Sequence, residues 1–134
     1  MASLLNGEIT INGIAISIND SLTDVLYKTI KLTKIIKNIN NFQHLFFNDV
    51  LVYEKKGYIK IIFSSDGKIT YLSFSISRGS KYNDKEELLS FLKKHHIVLK
   101  QQNGEYTKNF FWGKLEIYKN IHEPDHYSLT MTNA

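Results

Sequence analysis

The sequence predicts a single α+β domain over residues 1–134, in which an antiparallel β-sheet of five to seven strands carries two helices packed on one face. Several short segments alternate apolar and polar residues, as strands with one buried face do, and turn residues separate them. Two other segments begin with capping residues and continue with apolar residues at helical spacing. A chain of 134 residues is long enough to bury one core.

The N-terminal segment predicts a hairpin. Apolar and polar residues alternate from Glu8 to Ile18, on both sides of the dipeptide Asn12-Gly13. Asn-Gly is typical of two-residue hairpin turns, because both central residues of such a turn need a positive φ. We therefore expect two short antiparallel strands here, or one bent strand.

The first helix is predicted to follow this hairpin. Asp20 or Ser21 is a suitable N-cap, and Ser21 with Asp24 has the pattern of a capping box. Apolar residues then recur on one side of a helical wheel, which predicts a helix that continues to about Lys37. These apolar residues are Leu22, Val25, Leu26, Ile30, Leu32 and Ile36.

The middle of the chain predicts a three-stranded meander over Val50–Glu54, Tyr58–Ser64 and Lys68–Ser77. Gly57 and Asp66-Gly67 mark its two turns. Apolar and hydroxyl side chains alternate along the third strand, which is typical of a sheet with one buried and one solvent-facing side. The buried side is predicted to carry Leu72, Phe74 and Ile76, and the other side Ser73, Ser75 and Ser77.

A second helix and three more strands complete the predicted fold. Asn83 is the expected N-cap of the helix, and Glu86 closes a capping box. Its apolar face consists of Leu88, Leu89, Phe91 and Leu92, and its last turn holds Lys93, Lys94, His95 and His96, where cations interact favourably with the helix dipole. The strands that follow are Ile97–Lys100, Phe110–Tyr118 and Tyr127–Thr132.

The strand predicted over Phe110–Tyr118 has one apolar face and one mixed face. Alternation assigns the core side to Phe111, Gly113, Leu115 and Ile117. The mixed face carries Phe110, Trp112, Lys114, Glu116 and Tyr118, among them the only Trp of the chain. Exposed Trp and Tyr are favoured anchors for protein partners, so this face is a predicted binding surface. The alternative is that the N-terminal hairpin or a helix covers Trp112.

Candidates for catalysis or metal binding are few. The segment HEPDH, His122 to His126, offers imidazole and carboxylate groups, but a proline between the histidines prevents the helical spacing of a zinc pair. His95 and His96 have no nucleophile near them in the sequence. The chain contains no Cys, which excludes thiol catalysis and cysteine metal sites. We therefore expect no catalytic residue, no metal and no cofactor.

The charge and hydropathy of the sequence argue against two classes of partner, nucleic acids and membranes. The formal net charge is +4, and Arg78 is the only Arg, whereas surfaces that read phosphates or guanine edges favour Arg. No apolar run reaches the length of a membrane span, and the N-terminus lacks the pattern of a secretory signal. We expect a cytoplasmic protein that binds neither nucleic acid nor a membrane.

Four stretches of the sequence carry a resemblance: INDSLTDVLYK, VYEKKGYIKIIF, DGKITYLSFSIS and FFWGKLEIY. Together they resemble a diffuse group of small bacterial proteins of uncharacterised function. The shared pattern is a helix opened by S-L-x-D-V, an aromatic residue and a glycine between two strands, and a strand with F-x-G-x-L-x-I. Proteins of that group look like immunity proteins and accessory partners encoded near secreted toxins. The resemblance implies a binding role, and it transfers no catalytic residue.

These observations predict a non-catalytic binding protein, and specifically an immunity protein that neutralises a cognate bacterial toxin or effector by occluding its active site. A small-molecule or lipid carrier with an apolar pocket is the main alternative. A small hydrolase and a nucleic-acid-binding protein are the others. The predicted partner-binding residues are Trp112, Phe110, Lys114, Tyr118, Tyr71 and Ser73.

Overall fold

The computed structural model describes residues 2–77, 84–119 and 126–133. These residues form an α+β domain with two helices and one open antiparallel sheet of ten strands. The helices are α1 (Leu22–Lys28) and α2 (Asp84–Lys94), and a short 3-10 helix covers Leu4–Asn6. The strands are β1 (Glu8–Ile11), β2 (Ile14–Ser17), β3 (Ile35–Ile39), β4 (Phe42–Val52), β5 (Lys55–Phe63), β6 (Ile69–Ile76), β7 (Gln101–Gln102), β8 (Glu105–Phe110), β9 (Gly113–Lys119) and β10 (Tyr127–Asn133).

The strands follow the order β2-β1-β4-β5-β6-β10-β9-β8-β7, and β3 pairs with β4 beside this path. Because β5 occupies one edge of β4, β1 and β3 share the other edge. A bulge at residues 48–49 lies between the two halves of β4, so that β1 pairs with the half after it and β3 with the half before it. The sheet has more strands than the five to seven predicted, partly because β3 occupies residues that were predicted as helix and because the predicted strand Phe110–Tyr118 belongs to two strands, β8 and β9.

The core lies against one face of the sheet. The register places buried apolar residues opposite each other in two rows across five strands, an arrangement that stabilises a sheet with one buried face. The rows are Phe47, Ile59, Phe74, Leu129 and Ile117, and Leu45, Ile61, Leu72, Met131 and Leu115. The burial predicted for Leu72, Phe74, Ile76, Leu115 and Ile117 is therefore confirmed.

The N-terminal hairpin and the start of α1 form as predicted. Asn12 and Gly13 both have positive φ, and they join β1 to β2. The Ser21 hydroxyl accepts a hydrogen bond from the Asp24 N–H (3.1 Å), and the Asp24 carboxylate accepts one from the Ser21 N–H (3.0 Å). This capping box lowers the pKa of Asp24, first through the backbone hydrogen bond of Ser21 and then through its hydroxyl.

The end of α1 differs from the prediction, because the helix stops at Lys28 and does not continue to about Lys37. The Thr29 hydroxyl donates a hydrogen bond to the Val25 carbonyl (2.7 Å). The Lys34 ammonium donates to the Thr29 carbonyl (2.7 Å), which is one of the groups that a helix end leaves without an intrahelical partner. These two hydrogen bonds satisfy carbonyl groups at the end of α1, with Thr29 as its C-cap.

The residues beyond this point form β3 instead of a helix. Ile35–Ile39 pairs with the first half of β4 across a two-residue turn, Asn40-Asn41, in which both residues have positive φ. Asn tolerates that conformation, and β-branched isoleucine favours strands, so the local sequence is compatible with a hairpin. The apolar residues of this segment are not buried in the strand, because every residue of β3 is exposed.

The second helix is largely as predicted. Leu88, Phe91 and Leu92 are buried, and the Phe91 ring lies 5.7 Å from the ring of Phe74 in the sheet, measured between centroids. The expected N-cap, Asn83, lies outside the described residues. No helix among the described residues is long and apolar enough to cross a membrane.

Two turns of the central meander were predicted, and one of them lies elsewhere. Gly57 is a buried residue inside β5, and an added Cβ would overlap the carbonyl oxygen of Ser75 on β6. The turn before β5 falls instead at Tyr53-Glu54, where Tyr53 has positive φ. The turn at Asp66-Gly67 is confirmed. Gly57 therefore permits close contact between two strands, which is the other common reason for glycine in a sheet.

The strand predicted over Ile97–Lys100 is not formed. His96 has positive φ, and the Ile97 N–H donates to the Leu92 carbonyl (2.9 Å), as at a helix end with a left-handed residue. Ile97 and Leu99 are buried without joining the sheet. The sheet resumes with β7 and β8, joined by Asn103-Gly104, a turn with two positive φ values that the sequence interpretation missed.

Candidate partner-binding surface

The segment predicted as one strand over Phe110–Tyr118 is two strands. β8 ends at Phe110 and β9 begins at Gly113, and these two residues pair with each other across a two-residue turn, Phe111-Trp112. Alternation along a single strand therefore does not apply to the turn residues. It does hold within β9, where Leu115 and Ile117 are buried and Lys114 and Glu116 face the other way.

Trp112 is buried, with 3% of its surface exposed, so the prediction that its side chain lies on a free face is wrong. Its indole N–H donates a hydrogen bond to the Leu5 carbonyl (3.0 Å), and its ring stacks on that of Phe110 at 5.2 Å. A Cβ on Gly7 would lie 2.8 Å from the indole ring. The N-terminal segment therefore covers Trp112, as the alternative held, and Phe110 is half-buried beneath the same contact.

Phe111, which was predicted to be in the core, is 80% exposed at the tip of the β8–β9 hairpin. The error has a simple cause: a turn residue points away from both strands, so the alternation of the flanking strands does not predict its direction. An isolated exposed aromatic residue is common on protein surfaces and does not by itself indicate a binding site.

Four of the predicted partner-binding residues lie together on the side of the sheet opposite the core, which we call the outer face. Tyr71 and Lys114 are in one cross-strand row with Thr132 between them, and Ser73 is in the next row. Tyr118 is also on this face, opposite Ser128. Each of these side chains keeps part of its surface exposed.

The outer face also carries aromatic residues that the sequence interpretation did not identify. Phe46 and His44 of β4 continue the same two rows, and their rings stack at 6.2 Å. Lys37 lies over the ring of Phe46 (5.8 Å) and Lys60 over that of Tyr71 (5.4 Å). The alternation in FQHLFF was the available signal, but it precedes a bulge and was not assigned to a strand.

The hairpin at one edge of the sheet is unusually exposed. We call residues 35–46 the edge hairpin, since they comprise β3, its turn and the first part of β4. Every residue of β3 is exposed, and Ile35, Ile36 and Ile39 are accompanied by an exposed Phe42. Exposed apolar residues that are contiguous mark interaction sites more often than scattered ones do.

The net charge of the chain is concentrated in the same part of the sequence. Between Asp24 and Asp49 there are four lysines and no acidic residue, while the other thirteen basic residues are matched by thirteen acidic ones. Lys28 pairs with Asp20 (2.7 Å), and Lys34 donates to helix-end carbonyls. Lys31 and Lys37 are exposed and make no ion pair with another described residue.

His126 is the described residue of the predicted HEPDH segment, and residues 122–125 lie outside the described residues. Its Nδ1 is 3.0 Å from the Asp84 carboxylate and its Nε2 is 3.0 Å from the Tyr58 hydroxyl. The imidazole is buried, and both nitrogens are occupied, so it links the start of β10 to α2 and β5. A satisfied buried histidine of this kind is sufficiently explained by structure. Within the described ranges, no three His, Asp or Glu side chains are placed to hold a metal.

His95 also has a structural environment. Its imidazole lies 3.1 Å from the Glu54 carboxylate, and its ring packs against those of Tyr53 (4.4 Å) and Phe91 (4.8 Å). Burial, together with the negative charges of Glu8 and Glu54, raises the pKa of Tyr53 above its ordinary value. The contacts of His95 with Tyr53 and Glu54 hold the end of α2 against the turn before β5.

The clefts on the surface test the alternative that this protein is a small-molecule or lipid carrier, which would need an apolar pocket. One of about 390 Å³ is lined by side chains that include Tyr106, Tyr118 and Tyr127, but also Lys85 and Glu116. Another of about 290 Å³ lies between α2 and the turn before β5, and its walls include Glu54, Lys55 and Glu87. Charged groups line both clefts, whereas a lipid or apolar ligand requires mostly apolar walls. A third cleft, whose walls include Leu89, Ile97 and Leu99, is more apolar but smaller, at about 220 Å³.

No protein-family model matches the chain, and neither a curated protein nor a solved structure matches it. The resemblance to immunity and accessory proteins therefore stays a prediction.

Proposed function

We propose that this protein is a non-catalytic binding protein that neutralises a toxin or effector by covering its active site, as an immunity protein does. The observation that supports this proposal is the edge hairpin, whose exposed isoleucines lie within the longer segment, between Asp24 and Asp49, that carries four lysines and no acidic residue. An exposed apolar surface with a charged rim is the usual composition of a protein interface.

The mechanism would be steric. Ile35 pairs with Phe46, and Lys37 with His44, so the edge hairpin continues directly onto the aromatic part of the outer face. Together they offer a continuous surface on paired strands. A standard interface buries roughly 800 Å² on each partner, and occlusion requires only that this area overlap the mouth of the target's active site.

The anchors of this interface differ from those predicted at first. Trp112 is excluded by its burial. Phe46 takes its place beside Tyr71, which was already predicted, because each of these two residues is a partly exposed ring with a lysine ammonium over it, on a paired strand. Aromatic residues at the centre of an interface contribute most of the binding free energy.

The charge favours an acidic target. Lys37 and Lys60 lie over the rings of the proposed anchors, and complementary charge accelerates association with a partner. An acidic active-site cleft fits this surface, whereas the basic cleft of a nuclease would be repelled by it.

Co-expression with the product of the adjacent gene, followed by size exclusion, tests the proposal. We expect a stable complex, protection of cells that express the toxin, and a loss of at least about 2 kcal/mol of binding free energy, about thirtyfold, for Tyr71→Ala or Phe46→Ala. Phe111→Ala, an exposed aromatic residue on the other hairpin, is the matched control and should bind normally. Failure to bind any adjacent product, together with no protection, would refute the proposed function.

A further inference from the structure

We propose that β3 binds its partner by strand addition: an extended acidic segment of the target pairs with the free edge of β3 and continues the sheet. This inference rests on the proposed function and specifies how the partner is recognised. Strand addition uses main-chain hydrogen bonds for affinity and alternate side chains for selectivity.

The backbone of β3 is suited to this role. In a hairpin with a two-residue turn, the residues that flank the turn form a hydrogen-bonded pair, and such pairs then alternate along the ladder. Ile39 and Phe42 flank the turn, so Ile39, Lys37 and Ile35 direct their backbone groups toward β4. Ile36 and Asn38 therefore direct their N–H and C=O groups outward, and no described residue bonds to them.

Edge strands are normally protected against such pairing by brevity, charge, proline or a covering segment. The opposite edge of the sheet follows this rule, because β7 has only two residues, Gln101 and Gln102, both polar. β3 has five exposed residues, three of them isoleucine, with Lys37 as the only charged residue. The edge strands β3 and β7 thus differ in their readiness to accept a further strand.

Charge decides between an acidic partner and a second copy of this chain. Two copies that paired through β3 would bring together two strands whose single charged residue is Lys37, each preceded by Lys31 and Lys34 and with no acidic residue between Asp24 and Asp49. Like charges oppose that contact, and carboxylates on an incoming strand favour it. Glutamates on the side of Lys37 and apolar residues on the side of Ile36 would match both faces of β3.

A peptide titration followed by amide NMR tests this inference without the natural partner. The probe is a nine-residue peptide of alternating Glu and Val, and the matched control replaces every Glu by Lys. At low salt and peptide concentrations up to about 1 mM, the Glu peptide should shift the amide signals of Ile36 and Asn38 and slow their hydrogen exchange. It should bind about tenfold more tightly than the Lys peptide.

Two proline variants make the test specific. Asn38→Pro removes an outward N–H without removing a β3–β4 hydrogen bond, so the hairpin should persist while peptide binding falls at least about tenfold. Gln101→Pro makes the same change at the equivalent outward position of β7, two residues before its two-residue turn, and should leave peptide binding unchanged. If Asn38→Pro does not fold, Lys37→Glu replaces it, and the preference for the Glu peptide should then disappear.

Several results would overturn strand addition. These are equal binding of the two peptides, signal shifts at β7 in place of β3, normal binding by Asn38→Pro, or self-association of the free protein that protects Ile36 and Asn38. The proposed function fails separately, in the co-expression experiment. A natural complex that forms normally with Asn38→Pro would leave that function in place and reject the edge of β3 as the site.

Discussion

The β8–β9 hairpin and the edge hairpin both carry bulky apolar side chains, but they differ in how far these side chains are buried. The β8–β9 hairpin places Trp112 in a two-residue turn, and the N-terminal segment covers it. The edge hairpin places Ile39 and Phe42 on the two sides of a two-residue turn, and both remain exposed. Both turns have two residues, but their backbones differ, because Asn40 and Asn41 have positive φ and Phe111 and Trp112 do not. The two hairpins also differ in what packs over them.

The covering of Trp112 is specific. Leu5 supplies the carbonyl that accepts the indole hydrogen bond, and Gly7 leaves room for the ring. At the edge hairpin, β1 could have served as cover, but it pairs only with the part of β4 beyond the bulge. Whether an apolar hairpin of this sheet is buried or exposed therefore depends on where a neighbouring strand pairs.

Among the substitutions that test this difference between the two hairpins, Trp112→Ala is expected to lower the free energy of unfolding most. Removal of a buried Trp costs about 3–5 kcal/mol, and the Leu5 carbonyl would also lose its donor. Urea unfolding would measure the loss. Phe111→Ala, one residue away but exposed, should change the free energy of unfolding by less than about 0.5 kcal/mol. Equal stability of the two variants would mean that the N-terminal segment does not hold Trp112.

Leu115→Ala tests the register of β9, on which the division into core and outer face depends. This residue is buried opposite Met131, so the change should cost about 2–4 kcal/mol. Lys114→Ala should cost little, because that side chain faces away from the core. Thermal or urea unfolding of both variants would decide, and the reverse order would show that the register is displaced by one residue.

Gly7→Ala tests the contact over Trp112 from the other side, because it changes the N-terminal segment that covers the indole and leaves Trp112 itself unchanged. Gly7 has a φ of +76°, and an added Cβ would lie 2.8 Å from the indole ring, so both backbone strain and overlap oppose the change. We expect a loss of about 2–3 kcal/mol in unfolding free energy. Gly104→Ala is the matched control, since Gly104 has a similar φ with no heavy atom near its Cβ position, and about 1 kcal/mol is expected there.

Ile36→Thr should have the smallest effect on stability. The side chain is exposed, and Thr keeps the β-branched shape that favours a strand, so the change in unfolding free energy should stay within about 0.5 kcal/mol. The same substitution at Ile61, buried in β5, should cost at least about 2 kcal/mol. A large loss for Ile36→Thr in unfolding experiments would show that the edge hairpin is covered in the free protein.

The sequence by itself determined the features that depend on neighbouring residues. Asn12-Gly13 specifies its turn through backbone conformation, and Ser21 with Asp24 specifies the start of α1 through two local hydrogen bonds. The alternation along β6 and within β9 predicted the core face correctly, and with it the outer face that holds Tyr71 and Ser73. In each case the cause lies within a few residues of the effect. Ser75, which was predicted to face solvent, is an exception, since it is buried and its hydroxyl bonds to that of Ser128.

Only the tertiary structure decided which surfaces remain free. The spacing of apolar residues from Ile30 to Ile36 suits a helix, but the first half of β4 offers Ile35–Ile39 a ladder of backbone hydrogen bonds, and the helix ends early. Trp112 is buried because a segment more than one hundred residues away reaches it. Local spacing does not encode such contacts, since the burial of a side chain depends on every segment that can pack against it.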